Sequence, residues 1–295
     1  MKLLTILLAA ATLASAQEAP KPGPLAWSFA ELLSRSSNGH SPTQDEIAAA
    51  GQVTANAAAL REALPLILKA LENPDEPVRA YALTTLVSLE APADPATPAA
   101  PIAYKSEFQK ILTPAIPKIA AHLTDESQGD RILTAAILGG FSPDPPASIY
   151  PPLFAYLKRD DGVGTVGQAV VEDILQLGPI HDDAAAAIIS YLHRPDQTSD
   201  SRSNLVEAIA THPFQSQSVN KVLLGYLDSD DPSLRARLIL SLPQLDLAPD
   251  VFTETRERVT QLTANDQESL AVVNAAKSVA TCWTAVKMAS GCPVY

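Results

Sequence analysis

The chain has 295 residues, 46% of them hydrophobic and 18% charged, which is ample apolar material for a core and argues against wholesale disorder. Aromatics are only 5%, which speaks against a sandwich or barrel built on large cross-strand pairs. With 21 basic and 33 acidic side chains the net charge is −12, so the surface repels phosphate backbones and anionic lipid and makes nucleic acid a poor partner.

Residues 1–16 read as an export address. Met1-Lys2 supplies one positive charge, Leu3 to Leu13 is an apolar run broken only by Thr5 and Thr12, and Ala14-Ser15-Ala16 offers a small-x-small cleavage site before Gln17. This signal is too short to span a bilayer, and no later stretch reaches about 18 uninterrupted apolar residues. The expectation is an exported protein, periplasmic or secreted, without membrane insertion once the signal is removed. Residues 17–59 then read as a leader and N-terminal cap. Gln17 to Pro24 contains three prolines, and helices are predicted over Leu25 to Ser34 and Gln44 to Glu62, the second introduced by Ser41-Pro42-Thr43.

A period governs residues 60–283. A Leu that ends an apolar helix recurs as Leu71, Leu123, Leu157, Leu192, Leu227 and Leu262, at spacings of 52, 34, 35, 35 and 35 residues. The long interval holds Ala91 to Pro101, with four prolines in eleven residues, which reads as an inserted loop (91–101) and as a second candidate binding element. Four residues past each landmark stand Asp75, Ser127, Asp161, Asp196, Asp231 and Asp266, placed to cap a second helix. Eight residues past it stand Arg79, Arg131 and Arg235, and Tyr156, Tyr191 and Tyr226 immediately precede three landmarks. Each unit is therefore a helix, an acidic turn and a second helix with a 3.6-residue apolar stripe, such as Val78, Ala82, Leu86 and Leu89. Neither helix alone can bury its stripe, but stacked pairs share one continuous core. Pro65 is placed in the first turn of its helix, Pro243 is expected to kink or shorten its own, and a tail at 284–295 closes the array.

The segment Leu64 to Leu89, with Asn73-Pro-Asp-Glu-Pro-Val-Arg79 between its helices, resembles a HEAT repeat, and Asp231-Pro-Ser-Leu-Arg235 is similar. Thr165 and Leu270 stand where the third and sixth copies would carry the Arg. The resemblance implies an all-α fold, a right-handed α-solenoid of about six helix pairs with both ends capped, whose second helices line a concave face. It implies a scaffold and no reaction.

Candidate chemistry is sparse. Gly162-Val-Gly-Thr-Val-Gly167 spells a G-x-G-x-x-G, but it follows a helix and no parallel-strand pattern surrounds it. His181-Asp182-Asp183 is the single His-acid cluster, without His-x-x-x-His spacing elsewhere, and its acids suit the start of an Ala-rich helix. Cys282 and Cys292 lack Cys-x-x-Cys spacing and read as a disulfide that pins the tail. No catalytic residue, metal or cofactor is assigned, and the chain is not read as an enzyme. The expected function is an exported scaffold that binds another exported protein or peptide segment through Tyr81, Thr85, Ser88, Glu172, Asp173, Gln176, Asn204, Glu207, Thr211, Arg237, Ser241 and Gln244 on the concave face. The rival readings are an enzyme or ligand-binding module with a weak metal site near His181-Asp182-Asp183, and a purely structural envelope spacer.

Overall fold

The computed structural model describes residues 23–92, 102–159, 161–162, 164–212 and 215–285. The signal at 1–16, most of the leader, the body of the Pro-rich insertion and the end of the tail, Cys292 included, lie outside them. No helix among the described residues is long and apolar enough to cross a membrane.

Among the described residues fifteen α-helices follow one another: α1 (Pro24–Ser37), α2 (Gln44–Ala50), α3 (Ala57–Leu71), α4 (Glu76–Ser88), α5 (Ser106–Leu112), α6 (Ile116–Ala120), α7 (Gln128–Gly139), α8 (Tyr150–Leu157), α9 (Thr165–Gln176), α10 (Asp182–Leu192), α11 (Ser199–Thr211), α12 (Gln217–Gly225), α13 (Pro232–Ser241), α14 (Pro249–Leu262) and α15 (Leu270–Ala285). They form two rows. Second helices pack side by side in the order α2, α4, α7, α9, α11, α13, α15, and the first helices α1, α3, α5 with α6, α8, α10 and α12 stack beneath them, with α14 packed on α15. Leu71, Leu157, Leu192 and Leu262 end their helices, while Leu123 and Leu227 fall in short 3-10 turns at the same place in the unit. One hydrophobic core runs from Leu25 to Val279 without interruption, as stacked amphipathic pairs require. The chain is an α-solenoid.

The unit boundaries are set by local chemistry. Thr43 caps α2 in a full capping box with Glu46. The predicted helix from Gln44 to Glu62 is two helices, because Gly51 closes α2 and the Asn56 side chain accepts from Ala59 N–H to start α3. Pro65 consequently lies in the interior of α3 rather than in its first turn; its exposed position leaves the carbonyl it fails to bond open to solvent. Pro243 shortens α13 as expected, the chain passing into a 3-10 turn over Leu242–Gln244. The insertion leaves and re-enters through a two-residue antiparallel bridge, with Ala91 opposite Ala103 and Pro92 opposite Ile102.

The repeated polar residues stitch one unit to the next. Arg79 does not pair with Asp75 in its own turn. It reaches across to Asp130 of α7 at 3.0 Å and to Asp125 at 3.4 Å, while Asp75 accepts from Ser41. Arg131 pairs with Asp161 at 2.8 Å, Arg235 with Glu268, and Arg194 donates to the carbonyls of Leu157 and Arg159 in the preceding unit. Tyr226 likewise donates to the Leu192 carbonyl at 2.9 Å. Of the six turn residues expected to cap second helices, Asp231 does so through Ser233 and Leu234 and Ser127 caps α7; Asp75 stands at the start of α4 without accepting a cap bond, Asp161 and Asp196 are drawn to arginines while Thr198 caps α11, and Ser269 rather than Asp266 accepts from Val272 N–H at the start of α15.

Candidate functional site

The twelve sequence-assigned residues stand on α4, α9, α11 and α13 or, for Gln244, in the turn just past α13, and burial sorts them into three groups. Asn204, Glu207, Thr211 and Arg237 are exposed on α11 and α13, and Glu207 pairs with Arg237 at 2.9 Å across the two helices. Tyr81, Ser88, Glu172, Gln176 and Gln244 are half-buried; Glu172 accepts from Gln168 at 2.8 Å, and Tyr81 meets Phe29 edge-on with ring centres 5.5 Å apart. Thr85, Asp173 and Ser241 are buried and offer nothing to a partner. Thr85 and Ser241 turn their hydroxyls back onto the carbonyls of Tyr81 and Arg237. A helix with neighbours on both flanks buries more than the single stripe opposite the solvent, which is why the wheel over-assigned these three.

Residues of the same surface that the sequence reading omitted come from α7 and α13. Ile132, Leu133 and Ala136 are half-buried on α7, and Leu240 is exposed one turn beyond Arg237. The signal was available. The offset of ten residues that relates Tyr81 to Leu71 and Arg237 to Leu227 falls on Leu133 when carried to Leu123. The row is thus apolar over α7 and polar over α11 and α13.

Two acids flank the end of α7, Asp173 buried and Glu90 half-buried. Asp173 on α9 is 8% exposed and sits against Gly139, while Glu90, just past α4, sits against Gly140; both glycines close α7. A Cβ at Gly139 would stand 2.6 Å from Asp173 Oδ1, and one at Gly140 would collide with the Glu90 carboxyl, so only glycine lets both acids approach. Burial, reinforced by Asp173, pushes Glu90 up to about 8 against the pull of the Tyr104 hydroxyl. Burial and the neighbouring Glu172 push Asp173 to about 8. Tyr104 anchors the other side of this pocket, donating its hydroxyl to the Leu86 carbonyl and its N–H to the Gly140 carbonyl.

The two motifs with chemical associations have structural roles here. Gly167 of the glycine motif is packed so tightly that an added Cβ would strike the Gly162 carbonyl and the Tyr191 hydroxyl, and Gly164 takes φ +88° to start α9. Gly162 and Gly167 thus close on each other and on Tyr191 of the next unit. His181 caps α10, its Nδ1 accepting from Ala184 N–H at 3.2 Å, which places the ring proton on Nε2. Its ring packs against Tyr150 and Phe154, 4.4 and 6.2 Å between centres, at one end of a cleft of about 990 Å³ between α8 and α10. Among the described residues no three His, Cys, Asp or Glu side chains converge in a way that could hold a metal. Cys282 stands on α15, and the proposed Cys292 pairing reaches outside the described residues.

No protein-family model matches the chain, and no curated protein matches it. Solved structures to which it is similar include an engineered protein (16% identity over 86% of this chain and 67% of that one, TM-score 0.43). A designed armadillo repeat protein is similar at 14% identity over 74% of this chain and 98% of that one, TM-score 0.43. Another engineered protein is similar at 15% identity, over 87% and 95% of the two chains, with a TM-score of 0.38. The solenoid architecture itself rests on the two helix rows and their shared core.

Proposed function

We propose that this chain is an exported, HEAT-like scaffold that binds an extended segment of another exported protein along the outward side of its second helices. The observation that carries the reading is the unbroken row from α2 to α15. It gives a long platform whose polar side chains Asn204, Glu207, Thr211 and Arg237 are exposed and uncommitted to the core. Such a surface suits recognition by shape and hydrogen bonding over several repeats, with no cofactor. The export signal, the HEAT motif at Asp75 to Arg79 and the disulfide between Cys282 and Cys292 belong to the same reading.

The test is cross-linked affinity capture with the chain from Gln17 to Tyr295 beside a variant carrying Tyr81, Glu172, Glu207 and Arg237 changed to Ala. The captured protein is then purified and its binding to both forms measured. Loss of binding with the folded variant supports the reading, and equal binding by both overturns the placement of the surface.

A second reading rests on the cleft beside His181, whose aromatic wall and volume suit a small apolar or aromatic ligand. A ligand that binds the parent and loses affinity in Phe154→Ala, with protein capture unaffected by the four-residue variant, would favour it.

A further inference from the structure

The first helix of the array leaves one large aromatic side chain uncovered. Trp27 on α1 is 57% exposed, and among the described residues only Leu240 and Leu270 are large apolar side chains in a comparable position. It lines an open recess of about 290 Å³ between α1, α2 and α4, together with Tyr81 of α4. The recess has room for one side chain rather than for a folded element.

Its charges are uneven. Glu46 is occupied: Arg35 donates to both of its oxygens, at 2.6 and 3.3 Å, and Thr43 N–H donates at 2.7 Å. Arg35 is thereby neutralised by the same pairing. Glu31 lines the recess one helical turn beyond Trp27, is exposed, and makes no ion pair among the described residues. Glu31 also acts on Arg35 through space one turn on, so the recess holds two carboxylates against one guanidinium and, with two aromatic side chains in its lining, favours an organic cation through the ring quadrupoles and a charge-assisted hydrogen bond.

Tyr81 belongs both to this recess and to the second-helix surface, so the recess opens onto the N-terminal end of the proposed binding row. The net charge of −12 favours a basic partner over the whole length. We propose that the recess between Trp27 and Tyr81 takes a lysine or arginine side chain of the bound polypeptide segment, anchoring its end while the rest lies along the second helices. This deepens the scaffold reading and rests on it.

The test uses fluorescence anisotropy with two labelled peptides of about twelve residues, one alternating Lys with Ala and one alternating Glu with Ala, against the chain from Gln17 to Tyr295. The lysine peptide is expected to bind and the glutamate peptide not. Trp27→Ala and Glu31→Gln are each expected to weaken the lysine peptide about two- to fivefold. Asp183→Asn, which removes the same charge from a distant helix, is expected to leave it unchanged. Equal affinity for the two peptides, or an affinity insensitive to both Trp27→Ala and Glu31→Gln, overturns the proposal. If that happens while the four-residue variant still loses the captured partner, the scaffold reading stands and only the cationic anchor falls. If the lysine peptide binds as described but capture ignores the four-residue variant, the second-helix surface is the part that falls.

Discussion

Replacing Glu90 by Gln and Asp173 by Asn raises the stability of the chain at pH 8 and flattens its dependence on pH. Both carboxyls are held at about 8 in the folded protein, against ordinary values of 4.5 and 3.8, chiefly because burial penalises their charged forms. Below the ordinary values both are protonated whether the chain is folded or not, and pH has no leverage through them. Between about 4 and 8 the unfolded chain has lost these protons and the folded chain retains them. Each group then lowers stability as pH rises, because the folded chain holds a proton that the unfolded chain has released. Above 8 the difference is complete, and the slope from these groups vanishes. This runs opposite to the half-buried acids with lowered values, such as Glu46 beside Arg35 and Asp231 beside Ser199, whose contribution is present above the ordinary carboxylate range and lost as pH falls below it. The assay is urea unfolding at pH 5, 6, 7 and 8 for the parent, both single variants and the double variant. The parent midpoint should fall steadily across the series, and the double variant should hold nearly level and exceed the parent most at pH 8. A parent that keeps its midpoint from pH 5 to 8, or amide variants less stable than the parent at pH 8, would refute the argument from burial.

Arg79→Ala strands the buried Asp130 carboxyl and should cost about 3–5 kcal/mol by the same urea assay; a loss below about 1 kcal/mol would mean the pair does not bind units together. Gly167→Ala forces a methyl against Gly162 and Tyr191 and should cost about 1–3 kcal/mol in thermal or urea unfolding, with no cost expected only if the turn is loose. Glu207→Ala and Arg237→Ala, which break an exposed pair, should each change stability by under about 1 kcal/mol, so that any loss of partner binding in them is not loss of fold. Mass spectrometry of the non-reduced protein should show a Cys282–Cys292 crosslink; two alkylatable thiols would contradict the staple.

The period of 35 residues, the Leu landmarks and the apolar stripes were enough to read a two-row solenoid, because each is a local signal repeated until chance is a poor explanation. Local chemistry also marked Thr43, Asp231 and Pro243 correctly. What sequence could not show was reach. Arg79 has an acid four residues before it, yet its guanidinium crosses to Asp130, fifty-one positions on, because the neighbouring unit is closer in space than the preceding turn is in geometry. Glu90 and Asp173 belong to different units and share no motif; they meet only because α7 ends in Gly139-Gly140 between them. The start of α3 was misplaced for a different reason. Asn56 is a sufficient cap, but the alanines on either side of it give one helical composition without a visible break. The surface assignment suffered from treating each helix as if only one side were covered. Thr85, Asp173 and Ser241 lie on flanks that the adjacent helices bury.

The measurement closest to the central claim is cross-linking mass spectrometry on the purified complex of the chain from Gln17 to Tyr295 with its captured partner. Cross-links and protection from hydrogen exchange concentrated on α4, α9, α11 and α13, around Tyr81, Glu172, Glu207 and Arg237, are the result the account predicts. Contacts confined to the first helices, around the cleft of α8 and α10, would contradict it.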